Sequence, residues 1–176
     1  KIGGTISAPD FHGILDAPKL VMNDQTITNV HGLVQYSHGL LSVDQFGFQQ
    51  NDGSYDLAVA VNTNTKALSG NVVVQNADIN AISALMNQKN DLIQGRLTSG
   101  IELSGTADNP TATVTGEIAS GTIGGYDIHQ VELDLRLLNH VVYVNKLSGY
   151  QGSNGQFQAS GNVALDGPIQ GRLAAA

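Results

Sequence analysis

Cysteine and tryptophan are absent from this 176-residue chain, and only 13% of its residues are charged, against roughly 25% in an average soluble domain. Without cysteine there is no disulfide framework, no Cys-ligated zinc or iron–sulfur site and no thiol nucleophile. Basic residues number 8 against 15 acids, a net charge of −7 with no Lys/Arg cluster, which argues against a nucleic-acid partner. No apolar run approaches the ~18 residues of a membrane-spanning helix, and nothing at the start reads as a signal peptide. Aromatics are 5% of the chain. Glycine is the exception, with 21 residues, where about 7% of an average chain would be usual. Low charge and few aromatics can mark disorder, but the Val, Ile and Leu residues are too many and too regularly placed for that.

Their period is two. In Val131–Leu137 the residues Val131, Leu133, Leu135 and Leu137 alternate with Glu132, Asp134 and Arg136. Such alternation puts one strand face against apolar matter and the other in water. Tyr55, Leu57, Val59 and Val61 repeat the rhythm, as do Leu97, Ser99, Ile101 and Leu103, and Phe157, Ala159, Gly161, Val163 and Leu165. Turn formers separate the runs: Asn51-Asp52-Gly53, Ser69-Gly70-Asn71, Asp108-Asn109-Pro110, Gly124-Gly125 and Ser153-Asn154-Gly155. This punctuation predicts an all-β, antiparallel meander. One stretch departs from it. Ile79, Ile82, Leu85 and Met86 form a helical stripe behind Asp78, a residue suited to N-capping, so a helix is expected over 78–88, lying on an edge or an open end of the sheet.

The chain also repeats itself. Gly4-Thr5 with Pro9 returns 101 positions later as Gly105-Thr106 with Pro110, and Ile27 and Val30 return as Ile128 and Val131. Val34, Tyr36, Val43 and Phe46 fall on Leu135, Leu137, Val144 and Leu147, Gly13 on Gly116 at 103, and Gly53-Ser54-Tyr55 on Gly155-Gln156-Phe157 at 102. This divides the chain into a first unit, 1–102, and a second, incomplete unit, 103–176, of one continuous elongated domain. Blocks of this kind usually stack as arrays. The abrupt ends point to a piece of a longer rod.

Gly105-Thr106-Ala107-Asp108-Asn109-Pro110-Thr111 with Gly116, the strand Gly95-Arg96-Leu97 to Ile101-Glu102-Leu103-Ser104, the strand and helix from Gly70 to Leu85, and Ala159-Ser160-Gly161-Asn162-Val163 resemble the recurring G-T-x-x-x-P and S-G-x-V signatures of the TamB family of AsmA-like bacterial envelope proteins. Gly4-Thr5 and Pro9 keep that pattern, while the Asn before the second copy's Pro is missing from the first. The resemblance implies a β-taco, a curved meander folded into an open trough with an apolar interior. It also implies a periplasmic location, anchored to the inner membrane through a segment not present in this sequence. The implied work is carriage of phospholipid acyl chains between inner and outer membranes, or help in outer-membrane protein assembly with a barrel partner.

The composition supports the trough separately. Nearly every strand has an aliphatic face, and one short helix with few aromatics is too little to cover it; uncovered apolar surface of that extent marks a binding site. A closed β-sandwich burying its halves against each other is the alternative fold. The expected groove residues are Val30, Val34, Tyr36, Tyr55, Leu57, Val59 and Val61, then Val131, Leu133, Leu135, Leu137, Phe157 and Val163. Such a lane shelters acyl chains at about 0.8 kcal/mol per CH₂ removed from water, with no fixed polar group required.

Nothing points to catalysis, a metal or a cofactor. His12, His31, His38, His129 and His140 show no i, i+4 pair, and His31 and His38 fall on Glu132 and Asn139 of the other unit, as solvent-facing positions would. Gly121-Thr122-Ile123-Gly124-Gly125 lacks the Lys and following helix of a phosphate loop. Asp44, Asp52 and Asp56 lie in turns or on polar strand phases, and no G-x-S-x-G elbow exists. The expected partners are therefore phospholipid acyl chains or hydrophobic client strands, with edge-to-edge self-association through open sheet edges. A structural or adhesive surface domain is the alternative function, although such β-solenoids usually repeat every 20–30 residues. A lipid-pocket enzyme or closed carrier fits neither the missing constellation nor the repeat.

Overall fold

The computed structural model describes residues 2–5, 8–88, 92–153, 155–165 and 171–175. Their strands are β1 (Ile2–Thr5), β2 (Ala8–Met22), β3 (Gln25–Ser37), β4 (Leu40–Gln50), β5 (Gly53–Asn62) and β6 (Leu68–Asp78). After helix α1 (Ile79–Leu85) come β7 (Ile93–Gly105), β8 (Pro110–Ile123), β9 (Tyr126–Leu138), β10 (Val141–Gln151), β11 (Gly155–Ala164) and β12 (Gly171–Ala175). All twelve lie in one sheet in chain order, each antiparallel to the next. The fold is all-β. The sheet curves into an open trough whose first and last strands do not meet, so the expected trough is the fold and the closed sandwich is not. Stacked at about 4.8 Å, twelve strands make a trough roughly 50 Å long.

Two-residue turns set the meander. Asn23-Asp24, His38-Gly39, Gly124-Gly125 and Asn139-His140 all take positive φ at both positions, the geometry whose twist matches paired strands. Asn51-Asp52 turns between β4 and β5 as expected, and Asn109 closes the turn before Pro110. Ser69-Gly70-Asn71 does not turn; it lies inside β6, and the reversal comes earlier, at 63–67. Gly70 is needed there for closeness, because a Cβ would stand 2.6 Å from the Ala58 carbonyl oxygen. Of the expected Ser153-Asn154-Gly155 turn, Asn154 lies outside the described residues.

Bulges bend the long strands. Asn29, Gln45, Asn76 and Gln130 take φ near +50° at 53°, 50°, 51° and 51°, and register shifts fall beside them. An extra residue on one strand kinks the ladder and raises its twist, which is how strands of up to 15 residues curl rather than lie flat. Strand limits recur with the period read from the sequence: β3 and β4 return as β9 and β10 after 101 residues, and β5 returns as β11 after 102. The register moves one detail. Gly13 pairs with Val34 and Val114 pairs with Leu135, so Gly13 corresponds to Val114, and Gly116 corresponds to Leu15.

Helix α1 is shorter than the expected 78–88. The Asp78 carboxylate caps it, accepting from the Asn80 amide at 2.8 Å. It ends because Asn87 enters the left-handed region (φ 54°), with Gln88 N donating to Ser83 O and Asn87 N to Ala84 O at 2.8 and 3.0 Å. That pair of bonds satisfies the last carbonyls and stops the helix. Asp78→Ala is expected to cost about 1 kcal/mol in urea unfolding. An unchanged midpoint would show that the cap is not holding α1.

Candidate functional site

The sheet register joins apolar side chains into rows across the trough floor. One row runs Val34, Val43, Val59, Gly70, Leu103, Ala112, Leu137, Val142 and Val163. The next runs Phe46, Leu57, Val72, Ile101, Val114, Leu135, Val144 and Gly161. A third, nearer α1, runs Phe48, Tyr55, Val74, Ser99, Gly116, Leu133, Leu147 and Ala159. No charged side chain interrupts these rows. Neighbours directly opposite on one face are in contact distance, so the lane is continuous from β3 to β11.

All thirteen residues named from the sequence lie on described strands. Val34, Leu57, Val59, Leu135, Leu137 and Val163 are half-buried members of the first two rows, and Leu133 is half-buried in the third. Tyr36 and Val61 both sit opposite Leu41 at the margin away from α1, also half-buried. Val30 and Val131 are closed off, each 1% exposed, and Tyr55 is buried as well. Phe157 packs beside Val131 at the other margin. Those buried three belong to the packed floor, and the half-buried ones make its accessible part.

Burial is uneven for a reason. Ile82 and Leu85 of α1 pack on Tyr55, Val74 and Ala77, and Ile79 packs on Ile118, Ile128 and Val131. Most buried apolar residues therefore lie at the α1 margin, and the opposite margin exposes Leu40 and Leu41. Phe48 stacks on Tyr55 with centroids 4.5 Å apart. Polar atoms on the covered side are paired. The Tyr55 hydroxyl donates to Gln50 Oε1 at 3.2 Å, Gln50 Nε2 reaches Gln25 Oε1 at 3.3 Å and the Ala81 carbonyl at 3.4 Å, and Ser99 Oγ donates to the Thr115 carbonyl at 2.9 Å.

Burial, and then the negative charge of Asp78, push the Tyr55 phenol above its ordinary value of 10.0. The folded state thus favours the neutral phenol. Its contribution is complete below about pH 10 and is lost as pH rises through the folded value. Tyr55→Phe should flatten the alkaline part of a stability–pH profile recorded from pH 9 to 12. Parallel profiles for both proteins would contradict this.

Charge stays off the lane. Arg96 pairs with Asp52 at 2.9 Å and Lys66 with Asp108 at 2.5 Å, both exposed. Lys146 pairs with Glu132, first by hydrogen bond and then by charge, holding that carboxyl below its ordinary range. Asp44 accepts from Ser42 Oγ at 2.8 Å and Asp56 is exposed, so the three acids do not converge on one site. His31 and His38 are exposed. Among the described residues no three His, Asp or Glu side chains gather in a metal-ligand arrangement.

Sequence reasoning missed Val43, Phe46, Phe48, Val72, Ile101, Leu103, Val114, Val142, Val144 and Leu147 as lane residues. Ile101 and Leu103 stood in a visible alternation. Phe46 was hidden because the bulge at Gln45 shifts the phase, putting Val43 and Phe46 on one face across an even–odd boundary.

No protein-family profile, characterised protein or solved structure matches this chain.

Proposed function

We propose that this chain is part of a TamB-like periplasmic bridge whose trough carries phospholipid acyl chains between the inner and outer membranes. The observation that supports this is the continuous, charge-free lane of half-buried aliphatic side chains crossing nine strands. Each acyl CH₂ laid there leaves water at a gain of about 0.8 kcal/mol. A lane without fixed donors holds chains without fixing them in place, which suits passage rather than storage. The test is uptake of a brominated or fluorescent phospholipid by the purified chain. Failure to take up lipid would favour the structural or adhesive role instead.

A further inference from the structure

The sheet face turned away from the lane is polar, and its two units differ there. In the second unit Glu117, Glu132, Ser148 and Gln158 stand directly opposite one another on β8, β9, β10 and β11. The next outward row is His129, Tyr150 and Gln156, set apart by the bulge at Gln130. All of these except His129 border a hollow of about 890 Å³, within the range of ligand pockets. The equivalent place in the first unit is filled. Asn29, at the matching bulge, donates to Gln49 Oε1 at 2.7 Å, and Gln49 is the counterpart of Tyr150. His31 and Asp56, counterparts of Glu132 and Gln158, close over Gly47, where a Cβ would stand 2.6 Å from the ring and 2.9 Å from the carboxylate. Among the described residues no hydrogen bond joins the side chains of Gln130, Ser148, Gln156 or Gln158 to the protein. His129 stacks on one face of the Tyr150 ring, with centroids 5.4 Å apart at 16°, which leaves the other ring face to the hollow.

We propose that this hollow binds a short, uncharged oligosaccharide. A pyranose ring has apolar C–H faces and a rim of hydroxyls. Its face fits the free side of Tyr150, an aromatic with an apolar body and a polar tip. Each glutamine amide both donates and accepts, and a glutamate accepts with two oxygens, so neighbouring hydroxyls of one sugar each find a partner. Glu117 faces Glu132 across the ladder, and like charges so placed repel. Lys146 pairs with Glu132 and leaves Glu117 to accept from hydroxyl donors. The carboxylates turn away an anionic ligand, and Lys146 already supplies the cation that an amine would bring. The site lies on the face opposite the apolar rows, so it stands whether or not the lane carries lipid.

The test titrates the whole chain with cellotriose, maltotriose and tri-N-acetylchitotriose, following by NMR the side-chain amides of Gln130, Gln156 and Gln158. At least one trisaccharide should shift them saturably. Tyr150→Ala should weaken that binding about tenfold. Gln130→Asn combined with Tyr150→Gln installs the first unit's closed arrangement on a backbone that already accepts it. This pair should remove the shifts and leave the melting temperature unchanged. Absence of saturable shifts with all three sugars would overturn the proposal, as would undiminished binding by the paired variant. Equal shifts with glycerol would mean unspecific hydroxyl contact, and shifts with spermidine but with no sugar would mean a cation site; the proposal falls in either case.

Discussion

Phospholipid uptake by the Leu135→Asp protein is expected to be at least tenfold weaker than by the parent chain, a loss of about 1.4 kcal/mol or more in binding. Leu135 sits mid-lane, between Val114 on one side and Val144 on the other. A carboxylate there keeps a hydration shell and interrupts the middle of the three apolar rows between Val114 and Val144. The folded trough must survive for the comparison to count, so circular dichroism and thermal unfolding accompany it. Leu135→Met, which conserves volume, should keep both fold and uptake. Val144→Asn, an uncharged change at the neighbouring position, should weaken uptake with less disturbance of folding. A folded Leu135→Asp protein that binds lipid as well as the parent would remove the support for carriage along the lane, as would a parent chain that binds none.

The second large effect concerns the packed floor. Val131→Ala should destabilise the chain by about 2–3 kcal/mol, combining lost transfer energy with a cavity its neighbours cannot fill. Val131 is 1% exposed and shares its cluster with Ile118 and Ile128. Its γ-methyl also lies where a Cβ on Gly149 would stand, at 2.9 Å, so the glycine leaves room for this side chain. The expected fall in melting temperature is about 4–12 °C for a chain of this size. Val30→Ala, at the corresponding position and equally closed off at 1%, should behave alike. A loss below half a kcal/mol at either position would mean that the floor relaxes freely and is not a packed core.

The two valines show how the sequence and the structure divide the explanation. Val30 and Val131 are visible from the sequence as partners 101 positions apart on apolar strand phases. Their closure is not visible, because it depends on strands and a helix brought beside them by the curl of the sheet. Leu57 and Leu135 have the same local pattern and stay half-buried, since among the described residues no element covers that part of the trough. Periodicity tells which way a side chain points. It does not tell how much lies on top of it.

Turns and bulges divide in the same way. Gly124-Gly125 is legible because two consecutive positive φ angles require such residues. Ser69-Gly70-Asn71 has the same composition and serves another need, the close approach of Gly70 to the β5 backbone. The bulge at Gln45 left no mark in the residue pattern beyond a phase slip between Val43 and Phe46. Helix α1 was legible in its stripe and its cap, while its early end depended on the left-handed turn at Asn87.

The sequence by itself determined the strand class, the repeat spacing, the α1 stripe with its Asp78 cap, and the alternation of faces within each run between bulges. These follow from local rules: strand alternation, turn stereochemistry and the satisfaction of orphan amides at a helix start. Only the tertiary structure decided that the sheet stays open, and that the floor is sealed at one margin and accessible toward the other. Those outcomes depend on bulge placement and on contacts between residues such as Ala81 and Gln50, 31 positions apart. Such long-range contacts are set by the curvature accumulated over many strands, which no local stretch of the chain encodes.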